Sequence, residues 1–221
     1  MILLGIDTCG AVGTLALGRL EAGELQVLAS RGLAGRTSAA MLVPAMAELL
    51  AEAGVELAAL RGVVVADGPG SFTGIRIGLS AAKALAEALG CAVFPISRLR
   101  VMAASHAAAG AVLDAGRGEF YWAGPEPETE AWVESLLTRE ELAATVAMAS
   151  GIVVACEERV ALALDACSSF RLVEPPTAVQ TLQAALAEVQ ADRRADVASL
   201  DGRYLRRSDL YQPAGATHPA P

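Results

Sequence analysis

The segment Asp67-Gly68-Pro69-Gly70-Ser71-Phe72-Thr73-Gly74-Ile75-Arg76-Ile77-Gly78 constrains the fold of this chain more than any other. It follows the β-branched run Gly62-Val63-Val64-Val65-Ala66 and leads into a long helix-forming stretch that reaches Leu89 and stops at Gly90. A strand, a tight turn and a helix therefore succeed one another without spare linker, and alternation of this kind belongs to α/β sheets. Gly68, Gly70 and Gly74 permit backbone conformations and close approaches that a Cβ would obstruct. Ser71 stands at the helix cap, and the helix amides behind it can hold an anion, so Gly68, Gly70 and Ser71 are candidate phosphate contacts. The segment is not a Walker loop, because no Gly-Lys-Ser/Thr follows, and its spacing does not match Gly-x-Gly-x-x-Gly.

The flanking elements extend this pattern. The chain opens with apolar runs at 2–6 and 13–18 about the polar turn Asp7-Thr8-Cys9-Gly10, a β-hairpin that residues 25–29 can extend to a meander. A helix is predicted over about 40–53, with Met41, Leu42, Ala45, Met46 and Leu49 on one face, Pro44 in its first turn and Gly54 as its stop. Residues 91–96 read as a further strand and 99–109 as a further helix, so an antiparallel start passes into a mixed sheet. A second hairpin, 111–114 and 119–123, begins a second sheet much as the first began. An acidic, Pro-rich loop at 124–130 precedes a helix near 139–148, a strand at 151–156 and helices near 157–165 and 177–190. Two lobes are predicted, 1–105 and 106–211, followed by a disordered Pro-rich tail at 212–221.

Composition excludes several functions. Of 221 residues, 54% are apolar and 19% charged, enough for a large core and too little charge for wholesale disorder. A formal net charge of −8 argues against a protein that holds nucleic acid unaided. The four cysteines form no Cys-x-x-Cys pair, the first residues lack a basic leader region, and no uninterrupted apolar run has the length of a membrane span. A reduced, cytoplasmic protein without membrane contact is expected. His106 and His218 are the only histidines, so neither a His-based metal site nor a Ser-His-Asp triad is expected, and no catalytic residue is assigned. Arg193, Arg194, Arg203, Arg206 and Arg207 cluster among acidic neighbours; a solvated helix end is the preferred reading, and a contact to a partner or to tRNA within a complex is the other.

Asp7 and Thr8 invite two readings. A strand-end Asp in such a hairpin is similar to the phosphate-binding turn of actin-like and sugar-kinase-like ATPases, where the carboxylate orients hydrated Mg²⁺. The plainer reading is that Asp7 bonds its own turn. Gly74, Gly78, Ala82 and Ala86 form one stripe of minimal side chains that a second helix can approach closely; a helix of the same domain is the preferred reading, and a helix of a partner is the other.

Ile6-Asp7-Thr8, the string from Gly68 to Gly78, Asp114-Ala115-Gly116-Arg117-Gly118-Glu119-Phe120-Tyr121 and Tyr204-Leu205-Arg206-Arg207-Ser208 together resemble the TsaB (YeaZ) family, bacterial subunits of tRNA threonylcarbamoyladenosine synthesis. Ser38, where the family commonly has His, and Gly116, where it has Arg, depart from the pattern. The resemblance implies an actin-like/sugar-kinase-like fold of two related lobes with mixed sheets. It implies a non-catalytic subunit that partners a TsaD-like paralogue and a TsaE-like ATPase, forms a homodimer when alone, and meets tRNA only through the complex. No intrinsic cofactor is implied, with ATP or ADP at most at the complex interface. The partner surface would comprise Met41, Leu42, Ala45, Met46 and Leu49 of one helix with Gly74, Gly78 and Ala82 of the next. A phosphotransferase of the same superfold and a glycoprotease are the alternatives; the first lacks a clear second carboxylate motif and the second lacks a His pair.

Overall fold

The computed structural model describes residues 1–33, 38–126, 129, 131–165 and 167–206. The expected tail at 212–221, with His218, Arg207 and Ser208, lies outside the described residues. The opening runs form β1 (Ile2–Asp7), β2 (Gly13–Glu21) and β3 (Glu24–Leu33), and α1 spans Ser38–Glu52. A 3-10 turn at Leu57–Ala59 leads to β4 (Leu60–Ala66), α2 (Phe72–Leu89), β5 (Ala92–Ile96) and α3 (Arg98–Ser105). These strands make one sheet in the order β3-β2-β1-β4-β5, antiparallel on the hairpin side and parallel from β1 to β5.

The second half repeats the scheme. It comprises β6 (Gly110–Gly116), β7 (Glu119–Pro125), β8 (Trp132–Thr138), α4 (Arg139–Met148), β9 (Val153–Ala155), α5 (Glu158–Ala163) and β10 (Phe170–Leu172). Its sheet order, β10-β9-β6-β7-β8, mirrors the first strand for strand, with β6 antiparallel to β7 and parallel to β9. The expected fold of two related lobes, each a mixed sheet flanked by helices, is the fold the chain adopts. Two short helices, α6 (Ala178–Ala184) and α7 (Leu186–Gln190), complete it.

Strand burial explains the continuous apolar runs. Leu4, Ile6, Val63 and Val65 point into a core shared with α1 and α2, while Leu3 and Val64 point into a second core with Ala178 and Leu182 of α6. Both faces of the first sheet are therefore dry, which favours unbroken Val and Leu rather than alternation. Gly5 belongs to this packing, since a Cβ there would lie 2.7 Å from the Ala178 carbonyl oxygen. In the second lobe α4 and α5 cover Val112, Trp122 and Val153, and Leu99 and Met102 of α3 cover Ala111, Leu113 and Val154.

Several expectations need correction. The lobes are not separated by one cut near residue 105, because α3 packs on the second sheet and α6 on the first. Pro44 lies inside α1, beyond its first turn. The helix expected over 99–109 ends at Ser105, with Ala107 at φ 48°. The helix expected over 177–190 breaks at Ala185. Edge strands β8 and β10 were not expected at all.

Candidate functional site at the cleft between the lobes

The two candidate phosphate elements do come together, and they close on each other. β1 ends at Asp7, whose Oδ1 accepts the Cys9 amide at 2.8 Å and whose Oδ2 faces Arg98 Nε at 3.4 Å. Both side chains of this ion pair are almost fully buried. Burial alone would lower the Arg98 pKa, but the Asp7 carboxylate, with Cys156, Cys9 and Glu157, holds it above its usual value. The Thr8 hydroxyl donates to the Gly74 carbonyl at 2.6 Å, and the Ser71 amide donates to the Cys9 carbonyl at 2.8 Å. Ser71 Oγ in turn accepts the Gly74 amide and caps α2.

The glycines of the motif serve this contact. A Cβ on Gly70 would lie 2.5 Å from the Cys9 carbonyl oxygen, one on Gly74 would run into the Thr8 carbonyl, and one on Gly78 would come 2.6 Å from Thr8 Oγ1. Gly68 takes φ 115°, and its carbonyl accepts the Arg98 amide at 2.7 Å. At the end of β4, Asp67 receives the Arg203 fork at 3.2 and 3.1 Å. Burial pushes the Asp67 carboxyl up, against the opposing pull of Arg203.

Across from this docked turn, Leu113, Asp114, Cys156 and Glu157 form the far wall of a 780 Å³ cleft. Glu157 accepts the Asp114 amide, and burial raises its pKa. Asp114 accepts the Gly116 amide at 2.8 Å, and Gly116 itself adopts φ 72°. Burial drives the Cys156 thiol to about 11 and raises Cys9 well above its ordinary value, so both thiols on the cleft are protonated at neutral pH. Among the described residues no group of three or more His, Cys, Asp or Glu side chains is placed so that it could hold a metal ion.

The candidate partner residues divide. Leu42, Ala45, Leu49 and Ala82 are buried in the first lobe's own core, and Gly74 and Gly78 seat the Thr8 turn. Gly74 and Gly78 of the small stripe thus make an internal contact with the Thr8 turn, Ala82 packs in the core, and none of these six residues reaches the surface. Met41 is 43% exposed and Met46 half-buried. The outward rows, which the sequence pattern passed over, carry Val43 (62% exposed) on α1 and Phe72, with the Arg76 guanidinium 4.0 Å over its ring, on α2. The sequence reading does not single out Arg98, and it places Arg203 in a solvated basic cluster rather than on the buried Asp67; the available signal is that an Asp ending a buried strand requires a cation, but no spacing says which arginine supplies it.

No helix among the described residues is long and apolar enough to cross a membrane. A family model described as TsaD, tRNA N6-adenosine threonylcarbamoyltransferase, matches residues 32–144. An uncharacterized protein of Mycobacterium bovis is 37% identical over 123 residues, which cover 55% of this chain and 57% of that relative. The tRNA threonylcarbamoyladenosine biosynthesis protein TsaB of Haemophilus influenzae is 37% identical over 103 residues, covering 47% of this chain and 42% of its own. The TsaB of Escherichia coli is 31% identical over 129 residues, covering 56% and 54%. The chain thus matches about half the length of these curated relatives. A solved structure from Pseudomonas aeruginosa, an uncharacterized protein with similarity to peptidase YeaZ, superposes with a TM-score of 0.75 at 25% identity, covering 93% of this chain and 99% of that one.

Proposed function

The chain belongs to the family described by the tRNA N6-adenosine threonylcarbamoyltransferase model, and on that premise we propose that it is a TsaB-like subunit, without catalysis of its own, that partners a TsaD-type transferase in forming threonylcarbamoyladenosine on tRNA. The observation that carries the non-catalytic part is the Asp7–Arg98 pair. The carboxylate that would orient hydrated Mg²⁺ in an active relative of this fold is spent on a buried guanidinium, and turning it away would strand that cation in the core. The Thr8 hydroxyl is likewise committed to the Gly74 carbonyl of α2, the Cys9 amide to Asp7 itself, and the Cys9 carbonyl to the Ser71 amide. In the cleft itself a nucleotide would be held only at an interface shared with the partner, where the open face would be completed. A TsaE-like ATPase and a homodimer of the free chain are part of the same proposal.

The partner surface follows from what the helices leave outside. Met41 and Val43 on α1 and Phe72 on α2 are large apolar side chains on the solvent side of one lobe, a composition that suits a protein contact. Co-expression with a TsaD-type protein should give a complex that purifies as a unit. Met41→Asp with Val43→Asp should lower its recovery at least about tenfold, while Met148→Asp on the far side of the second lobe should not. Retained binding by the double variant would move the interface elsewhere. Modification of tRNA by this chain alone, given ATP, bicarbonate and threonine, would overturn the non-catalytic role.

A further inference from the structure

On the opposite side of α3 from the cleft lies a second concavity that none of the foregoing uses. Arg98 faces the cleft, whereas Arg100, about half a turn further on, faces a 470 Å³ hollow floored by Ser97 and Glu134. A 310 Å³ hollow adjoins it, sharing Ile96, Arg100, Trp132 and Glu188, and is otherwise walled by alanines of α3, of the turn that follows it and of α6. Both volumes are of the order of small-molecule sites.

The larger hollow concentrates cations on a chain of net charge −8. Arg100, Arg193, Arg194 and Arg203 line it against the carboxylates of Glu134 and Glu188. Arg193 pairs with Glu188, Arg194 with Asp192 and Arg203 with Asp67. Arg100 has no ion pair among the described residues; its guanidinium stands 5.9 Å from the Trp132 ring centroid. Two buried polar atoms there also lack hydrogen-bond partners among the described residues, Trp132 Nε1 and Glu134 Oε2. The Glu134 side chain is only 9% exposed, and its nearest cation, Arg203 Nε, is 3.7 Å away. Buried polar groups left in this state call for a ligand that offers an acceptor to the indole and a donor to the carboxylate. A nucleobase or ribose offers both, and an alanine-lined hollow beside an indole suits a flat ring.

We propose that this double hollow binds a nucleoside phosphate, with its base beside Trp132 in the alanine-lined part and its phosphate held by Arg100 with the free edges of Arg193 and Arg194. The site is separate from the cleft and does not depend on the assignment of a partner. The alternative occupant of an arginine-rich surface, a tRNA backbone, is disfavoured because the cations line a concavity beside two carboxylates rather than a continuous outer face.

The test is titration of the full chain with AMP, ADP, adenosine and inorganic phosphate, followed by calorimetry and by tryptophan fluorescence; Trp122, the other indole, is buried under α4 and α5. AMP or ADP should bind saturably and change the emission, and Trp132→Phe should abolish that change. Arg100→Glu should weaken binding about tenfold or more, as should Arg193→Glu with Arg194→Glu on the exposed rim, a variant that leaves the core intact if Arg100→Glu fails to fold. Val12 lines the cleft and is 60% exposed, so Val12→Glu, which puts a carboxylate into the cleft, should leave affinity within about twofold. Absence of saturable nucleotide binding would overturn the proposal, as would loss of binding in Val12→Glu alone. Inorganic phosphate binding as tightly as AMP would remove the nucleoside from it, and displacement by tRNA of a probe that mononucleotides cannot displace would replace it with an RNA contact.

Discussion

Arg98 and Asp7 hold opposite charges 3.4 Å apart with almost no solvent on either, so each is tolerable only because of the other. Arg98→Ala is expected to cost about 3–5 kcal/mol, the range for stranding one member of a buried pair, and urea unfolding checks it. Glu157 behaves differently because its burial is only partly compensated. Its folded pKa lies above the ordinary 4.5, so it contributes stability that is complete below that pH and is lost as pH rises through the raised folded value. Glu157→Gln should therefore match the parent near pH 4 and equal or exceed it in stability at pH 7, and unfolding midpoints across that window decide the matter. Gly74→Ala places a methyl group against the Thr8 carbonyl and should destabilise strongly, whereas Gly54→Ala, with open space around it, meets only the strain of φ 61°. That Gly74 must be small was legible in the sequence. What it must be small for was not, because Thr8 lies 66 positions away.

At the scale of elements, ends with local chemistry were legible and edges without it were not. α2 begins at the Ser71 cap and ends at Gly90 in the left-handed region, and both signals are visible in the string. Ser71→Ala should cost about 1 kcal/mol, read as a fall in melting temperature, and should loosen the turn against Cys9. α4 starts where expected because Thr138 and Glu141 form a reciprocal capping box. β8 escaped notice because Trp132 to Leu137 are all half-buried at a sheet edge and show no inside–outside alternation. β10 has three residues, too few for any period. Pro44 sits in the body of α1, where it removes one backbone donor. Pro44→Ala should raise the stability of the free chain by about 1 kcal/mol or more, measurable by thermal unfolding.

At the scale of the molecule the two lobes are tied by exchanged helices. α6 closes the inner face of the first sheet, its first amide bonded to Thr14 Oγ1 at 2.8 Å, and α3 closes the inner face of the second. A fragment of residues 1–105 would expose Leu3, Val64 and Phe94 where α6 belongs, and is expected to show no cooperative unfolding by circular dichroism, while the full chain unfolds in one transition. The sequence by itself determined the repeated strand–helix grammar, the glycine-rich turn between strand and capped helix, and the family resemblance, because these rest on residues adjacent in the chain. Only the tertiary structure decided which sheet each helix covers, that the glycines of the small stripe face a turn, and that Asp7 and Asp67 are neutralised by Arg98 and Arg203. Burial and charge pairing act between residues about 90 to 135 positions apart, and no local pattern encodes which of several arginines the folded backbone will bring to a given carboxylate.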